Sequence, residues 1–312
     1  MKIVVTDSKF VNPGDLSWKK FEEFGEVEVF QDNEPEALKA CEDADAVLIN
    51  KTRIDEAFLK SCPKIRYIGV TGTGYDVIDV EACRKGNIVI SNCPEYGTDI
   101  VAEYTFGLIL QLSHEFDKHD TAIREGRWNE ESGYCFWLNN RFELQGKTLG
   151  IIGYGRIGKR VCELAKAFKM KVLVNNGIEN SEGEVSLEEL LTQSDIVTLH
   201  CNLTEENKRF ANKEFFDRMK KEAYFINVAR GGLVEEEDLK QALNEGKIKG
   251  AAVDVVSKEP IEKRNPLLEA QNLLITPHIA WVAKEARERI INISYENLKA
   301  FLEGSPQNRV GE

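Results

Sequence analysis

The chain has 312 residues, of which 42% are hydrophobic and 30% charged, a composition that supports a sizeable core and predicts two domains. Its formal net charge of −12 argues against nucleic acid or an anionic membrane as a partner. Because the seven cysteines are an odd number without C-x-x-C spacing, we expect reduced thiols in core positions, and we predict no metal site. The first residues read as a strand and no apolar run could span a membrane, so we expect a cytoplasmic protein.

The first hundred residues alternate strand-like and helix-like runs, which predicts a small parallel α/β layer. The strand-like runs are residues 2–6, 27–30, 46–49, 65–70 and 88–91, and the helical patterns are residues 34–42, 55–61 and 77–85. A glycine-rich turn at residues 70–76 directly follows a strand. It is either a tight βα turn or a turn whose backbone N–H groups bind an anion.

A strongly apolar helical pattern then runs from residue 98 to about residue 124, as expected for a helix that crosses into a second domain. The aromatic-rich segment at residues 126–138 that follows it reads as a surface loop. We expect this arm to form a homodimer interface, and the alternative is a local cluster that packs under the arm. His114 and His119 lie on or after a polar helix end, so we expect both to face solvent.

Residues 149–158 read LGIIGYGRIG, an apolar run followed by a G-x-G-x-x-G motif. A helical pattern opens directly after it, and a second strand-like run follows at residues 171–174. In this order Gly153 permits a sharp turn, Gly155 lets the backbone approach a pyrophosphate, and Gly158 lets the helix pack on the strand. The helix N-terminus favours phosphate. The unit therefore predicts dinucleotide binding.

The end of the second strand departs from the usual pattern. An acidic side chain is expected there to accept from the ribose hydroxyls of NAD, but the chain has Asn175 and Asn176. A carboxamide can still bond a hydroxyl, yet it has no charge to repel a 2′-phosphate. Because no Arg or Lys follows at residues 177–180 to hold that phosphate, we expect NADH as the cofactor, with NADPH left open.

The second half contains six strand-like runs opened by the glycine motif, which describes a Rossmann sheet. The runs are residues 148–152, 171–174, 196–200, 224–228, 250–255 and 273–276, separated by helical segments at 187–192, 213–218 and 235–244. A last helix is predicted at residues 284–302. Ligands bind at the carboxyl ends of such strands, where His200, Arg230, Asp254 and His278 follow apolar runs.

Three of the polar side chains suit one reaction. Hydride transfer to a ketone leaves an alkoxide that needs a proton, for which histidine is the natural donor. His278 could give that proton, Glu259 could raise the pKa of the ring and fix it, and Arg230 could grip a carboxylate with two hydrogen bonds. Taken singly, each has a structural alternative: a satisfied histidine, a solvated acid at Asp254 or Glu259, and an arginine paired with a neighbouring acid.

Over essentially its whole length the chain resembles the D-isomer-specific 2-hydroxyacid dehydrogenases. The matching stretches are residues 70–76, 98–103, 153–158, 227–232, 253–260 and 276–281. The resemblance implies an α/β protein of two Rossmann-like, doubly wound parallel-sheet domains and a dimer through the cofactor domain. It implies a flavodoxin-like substrate domain at residues 1–98 plus 284–312, and an NAD-binding Rossmann domain at residues 99–283.

The resemblance also implies roles for individual residues. The catalytic residues would be Arg230, Glu259 and His278. The substrate would be bound by Thr73, Gly74, Arg230 and Trp137. The cofactor, NAD or NADP, would contact Gly153, Gly155, Arg156, Ile157, Gly158, Asn176, His200, Val228, Ala229, Arg230, Asp254, His278 and Trp281, with Asp254 at the nicotinamide carboxamide.

Within the family, the motifs at residues 71–76, Phe136–Trp137 and residues 278–281 look most like glycerate dehydrogenases, also called hydroxypyruvate reductases. This implies reduction of hydroxypyruvate or glyoxylate to D-glycerate or glycolate. Two alternatives stay open. One is a D-lactate or other D-2-hydroxyacid dehydrogenase with a different keto acid. The other is an NADH-sensing binding protein similar to the corepressor relatives of the family.

Overall fold

The computed structural model describes residues 1–130, 133–138, 141–176 and 184–311. It divides into two compact units: residues 1–97 with 281–312, and residues 98–280. The first unit is therefore built from two separate stretches of sequence. The prediction that residues 1–98 plus 284–312 bind the substrate and residues 99–283 bind the dinucleotide stays a prediction.

The first unit has a five-stranded sheet, all parallel, in the order β2-β1-β3-β4-β5. The strands are β1 (Lys2–Val5), β2 (Glu26–Val29), β3 (Ala46–Ile49), β4 (Tyr67–Val70) and β5 (Val89–Ser91), and the helices between them are α1 (Pro35–Cys41), α2 (Glu56–Ser61) and α3 (Val80–Lys85). This is the flavodoxin-like order. Every residue of β3 and β4 is buried, as expected for a parallel sheet covered on both faces.

The second unit contains the remaining strands and all but one of the later helices. They are α4 (Thr98–His114), α5 (Phe116–Arg124), α6 (Arg127–Glu130), β6 (Thr148–Ile152), α7 (Arg156–Ala167), β7 (Lys171–Asn175), α8 (Leu187–Gln193), β8 (Ile196–Leu199), α9 (Lys213–Arg218), β9 (Tyr224–Asn227), α10 (Glu236–Asn244), β10 (Gly250–Val253) and β11 (Leu273–Ile275). The last helix, α11 (Lys284–Leu302), packs Ile290, Ile291 and Leu298 against the sheet of the first unit.

The second sheet is also all parallel, in the order β11-β10-β9-β8-β6-β7. Glu184 adds one parallel bridge to Val174 of β7. With that bridge counted as the third strand of the unit, the order becomes 3-2-1-4-5-6-7, the Rossmann order with one strand added. The predicted α/β fold with two parallel sheets is confirmed. Between β6 and β8 the strand order reverses, and ligands bind at such switch points.

The prediction of one helix from residue 98 to about 124 is wrong. Two helices, α4 and α5, meet at Glu115, whose backbone is left-handed with φ of 48°. The apolar spacing continues through this point and no glycine or proline marks it, so the break is invisible to a pattern of periodicity. The segment at 126–138, predicted as a loop, begins with the short helix α6.

All seven cysteines are free, and five of them are buried. Cys201 is half-buried, whereas Cys135 is exposed, so the prediction of a core position is wrong for Cys135. Burial raises the pKa of the Cys41 and Cys93 thiols to about 12, which keeps them protonated and unreactive. In the described part of the chain, no helix is long and apolar enough to cross a membrane.

Candidate active site

The glycine motif forms a tight turn between β6 and α7. Gly153 has φ of +96°, and a Cβ there would lie 2.4 Å from the backbone nitrogen of Cys201, so only glycine fits. Gly155 is the N-cap of α7 and has no atom within 4 Å of the place where its Cβ would be. Arg156 and Ile157 form the first turn of the helix. The result is an open cradle of backbone N–H groups at the switch point, which suits a pyrophosphate.

Asn176 is tied into this turn from the end of β7. Its side-chain oxygen accepts a hydrogen bond from the Tyr154 backbone at 2.8 Å, which leaves its NH2 group to donate. Its own backbone N–H lies 3.4 Å from a carboxylate oxygen of Glu184. A carboxylate therefore lies close to the backbone of Asn176, and sequence reasoning missed it because no pairing partner marked residue 184.

His200 follows β8 on the other side of the turn. It is half-buried, and its Nε2 lies 3.0 Å from the hydroxyl of Thr198. Burial lowers the pKa of His200 to about 3, so the ring is neutral at physiological pH. A Cβ at Gly153 would lie 2.5 Å from the carbonyl carbon of His200, which places this residue directly against the glycine turn.

Asp254 is only 1% exposed, which rules out the solvated-acid alternative for this residue. Its carboxylate accepts from the Thr276 hydroxyl at 2.7 Å and from the Ile279 and Ala280 backbone N–H groups, each at 2.9 Å. Thr276, which donates to Asp254, also forms a side-chain hydrogen bond with Tyr104, a residue whose pKa is raised by burial. Asp254 thus fixes the turn after β11, and its predicted nicotinamide contact stays a prediction.

That turn carries the histidine. His278 Nδ1 lies 2.6 Å from Glu259 Oε2, and the two side chains are 31% and 33% exposed. The other Glu259 oxygen lies 3.4 Å from the backbone N–H of Val256. The contact orients the ring and leaves Nε2 as the nitrogen that can face a substrate. A carboxylate–imidazole pair of this kind can hold a proton and deliver it to a developing alkoxide.

Arg230 lies after β9, in the same unit as the His278–Glu259 pair. Asn227 shapes the turn: its side chain donates to the Arg230 carbonyl at 2.9 Å and accepts from the Ala229 N–H at 3.0 Å. The guanidinium donates to the Ala229 carbonyl at 2.8 Å. Among the described residues no carboxylate forms an ion pair with Arg230, so the alternative of an arginine neutralised by a neighbouring acid is not supported. Val228 is buried and Ala229 half-buried beside it.

The remaining predicted site residues make contacts within their own units. Thr73 donates its hydroxyl to the Cys93 carbonyl at 2.9 Å within the first unit, where Gly74 follows it. Trp281 also belongs to the first unit, where its ring packs edge-on against Tyr96 at 6.1 Å. Trp137 lies in the second unit and is 64% exposed. Their contacts with substrate or cofactor stay predictions.

The expectation that His119 faces solvent is wrong. Its Nδ1 lies 2.8 Å from the Glu115 carbonyl, and its Nε2 lies 3.2 Å from the Leu138 N–H and 2.8 Å from Arg141 Nη2. The ring therefore fastens residues 133–138 to α5. His114 is half-buried as well. The contacts of His119 with Leu138 and Arg141 join residues about 20 positions apart, so no local pattern could have indicated them.

Within the described ranges, no three histidine, cysteine, aspartate or glutamate side chains are grouped so that they could hold a metal ion. The polar groups at the strand ends have acid–base and hydrogen-bonding chemistry of their own. The group combines an open glycine turn, a neutral histidine, a histidine–carboxylate pair and a guanidinium that forms no ion pair with a carboxylate of the described residues. These are the parts needed to bind a dinucleotide and to protonate an anionic substrate.

Comparison with known proteins is consistent with this chemistry. Residues 106–280 match the family described as D-isomer specific 2-hydroxyacid dehydrogenase, NAD binding domain. The chain is 43% identical to a hydroxypyruvate reductase of Blautia hydrogenotrophica over 100% of both chains, and 39% identical to a glycerate dehydrogenase of Methylorubrum extorquens over 88% of each. Among solved structures it is similar to an acyclic imino acid reductase in complex with NADPH and D-arginine, with TM-score 0.87, 32% identity and 100% of both chains covered.

Proposed function

Because the chain belongs to the D-isomer specific 2-hydroxyacid dehydrogenase family, we propose that it reduces hydroxypyruvate or glyoxylate with NADH to D-glycerate or glycolate. The relatives named hydroxypyruvate reductase, glycerate dehydrogenase and glyoxylate reductase support this substrate class. The observation that carries the proposal is the 2.6 Å contact between His278 and Glu259, in the unit that also holds the glycine turn.

The proposed mechanism assigns one task to each side chain. Arg230 binds the carboxylate of the keto acid with two parallel hydrogen bonds. A dihydronicotinamide, when bound in this unit, would supply the hydride. His278 donates a proton from Nε2 to the substrate oxygen as it becomes an alkoxide, while Glu259 accepts from Nδ1 and holds the ring in this orientation. Thr73 and Gly74 are proposed to bind the substrate carboxylate through their backbone, and Trp137 to limit the size of the substrate side chain.

The cofactor fits the second unit. The open turn at Gly155 and the N-terminus of α7 would hold the pyrophosphate, with Arg156 and Ile157 beside it. Asn176 would bond the ribose. We propose NADH over NADPH because Glu184 places a carboxylate at the backbone of Asn176, where a 2′-phosphate would meet a like charge. Asp254, His200, Val228, Ala229 and Trp281 are the remaining proposed contacts.

We also infer a homodimer in the cytoplasm. Large apolar side chains are exposed on α5, α6 and the segment that follows, with Tyr134 at 92% and Trp137 at 64%, and an aromatic surface of this kind favours an interface. Seven free thiols favour a reducing compartment. A light-scattering mass of twice 35.3 kDa is expected in solution. A mass of 35.3 kDa would rule out the dimer.

A panel of keto acids, assayed with NADH and with NADPH, tests the proposed activity. We expect hydroxypyruvate or glyoxylate to give the highest kcat/KM, with NADH favoured and a product of D configuration. Faster turnover of pyruvate or phenylpyruvate would instead identify a different D-2-hydroxyacid dehydrogenase. NADH binding without turnover of any keto acid would favour the sensor alternative, and reduction of imines alone would contradict the proposal.

A further inference from the structure

A buried carboxylate outside the proposed catalytic group requires an explanation. Glu236, at the first position of α10, is 8% exposed, whereas Glu237, the next residue, is exposed. Three donors converge on the Glu236 carboxylate: the Ser257 backbone N–H at 2.6 Å, the Ser257 hydroxyl at 2.8 Å and the Asn265 amide at 2.9 Å. A buried charge is tolerated only with such donors.

The donors lie at the two ends of the segment that carries Glu259. Residues 257–264 are all exposed, and Asn265 is buried again. Asn265 in turn accepts from the Leu267 N–H at 2.9 Å and caps a short helical turn. One carboxylate therefore closes an exposed loop at both ends. It therefore contributes to fixing the loop that carries Glu259.

The same carboxylate lies close in sequence to the turn that carries Arg230. The chain passes from Arg230 through a 3-10 turn at Gly231–Leu233 into α10. Gly231 packs so tightly on the neighbouring loop that a Cβ there would lie 1.9 Å from the carbonyl carbon of Val256. The Arg230 turn and the Glu259 loop are thus in direct contact, and Glu236 fastens them together at the start of α10.

We propose that Glu236 is a positioning residue for the reaction: it holds the Glu259 loop on the Arg230 turn, so that Glu259 meets the ring of His278. The inference rests on the proposed function, since Glu259 must first matter to turnover. Glu236 itself need not contact substrate or cofactor. Its effect should reach the reaction only through Glu259, and this separates it from an ordinary stabilising residue.

The variant Glu236→Gln keeps the size of the side chain but replaces one carboxylate oxygen by an NH2 group. Because this group is a donor, it cannot accept from Ser257 or Asn265. We expect kcat for hydroxypyruvate to fall about tenfold, as small misplacement of a reacting group does, while the Kd for NADH measured by fluorescence stays within about twofold. Glu237→Gln is the matched control. That side chain is 61% exposed and pairs with Lys240 at 2.6 Å, and kcat should not change.

A double-mutant cycle with Glu259→Gln decides the mechanism of the effect. If Glu236 acts through Glu259, the double variant should have the kcat of Glu259→Gln alone, because coupled residues are not additive. Losses that multiply would overturn the inference, as would a Glu236→Gln enzyme as fast as Glu237→Gln. A Glu259→Gln enzyme of normal activity would instead refute the proposed function.

If Glu236→Gln does not fold, the variant Ser257→Ala tests the positioning role of Glu236 instead. Ser257 is exposed, and the change removes only the hydroxyl bond of 2.8 Å to Glu236. We expect kcat to fall about threefold with KM for hydroxypyruvate unchanged, and the fall to vanish in the Glu259→Gln background. An unchanged kcat in Ser257→Ala would overturn the proposal.

Discussion

His278 has a left-handed backbone, with φ of 57°, a conformation that costs free energy for a residue with a side chain. Asp254 compensates for this: its carbonyl accepts from the His278 N–H at 2.7 Å, and its carboxylate accepts from the next two backbone N–H groups. A buried acid therefore enforces the turn that presents the imidazole to Glu259. These bonds set the position of the imidazole, and the contact with Glu259 sets the orientation of the ring.

Arg230 allows the first prediction at the residue scale. Replacing it by Lys keeps the charge but removes the planar fork, so we expect KM for hydroxypyruvate to rise about tenfold or more. Arg209→Lys is the control, because Arg209 is near the same turn and forms an exposed ion pair with Glu235 at 3.1 Å. Steady-state kinetics on both variants give the comparison. Equal KM and kcat values in the two would exclude the anchoring role.

His200 leads to a prediction about stability and pH. Its pKa is about 3 in the folded chain against an ordinary value of 6.5. Between those values the unfolded chain binds a proton that the folded chain does not, so stability falls as pH drops below about 6.5. In His200→Gln, Tm should therefore fall less steeply from about pH 7 to about pH 5, as measured by calorimetry. Identical slopes in the two proteins would show that His200 is not the titrating group.

At the scale of elements, sequence patterns predicted most strands and helices because local chemistry marks them. The bounds of β3, β6, α9 and α11 match the predicted runs, and Ser186 and Asn212 cap α8 and α9 through side-chain oxygens. The break at Glu115 carries no such mark. The single bridge at Glu184 is also too short to give a strand signal, and the proposed preference for NADH rests on this residue.

Glu184 gives the prediction that belongs to this sheet edge. In Glu184→Gln the proposed repulsion of a 2′-phosphate is removed, so the NADPH/NADH ratio of kcat/KM should rise about tenfold, the equivalent of roughly 1.4 kcal/mol of charge repulsion. The Kd of 2′-phospho-ADP-ribose, compared with that of ADP-ribose by calorimetry, should fall in parallel. Glu188→Gln, an exposed change on α8, should alter neither ratio. If both variants behave like the wild type, selectivity has another origin.

At the scale of the whole molecule, the proposed site could be read from sequence only in part. Arg230, Asp254 and His278 each follow an apolar run, and the fold places the ends of those runs at one edge of a sheet; Glu259 lies in the loop after Asp254. The supports of the site could not be read in this way, because Glu236 and Ser257 are 21 residues apart and Glu236 and Asn265 are 29 apart. Hydrogen bonds between buried residues this far apart in the chain leave no periodic pattern in the sequence.

The central claim is that His278, oriented by Glu259, protonates the substrate during reduction by NADH. The most direct test is the oxidation of NADH by hydroxypyruvate in the wild type and in His278→Ala, with NADH affinity measured separately. We predict rapid formation of D-glycerate by the wild type and a loss of kcat of about 10²- to 10⁴-fold in the variant, with NADH binding retained. Turnover by His278→Ala within a few-fold of the wild type would contradict the account.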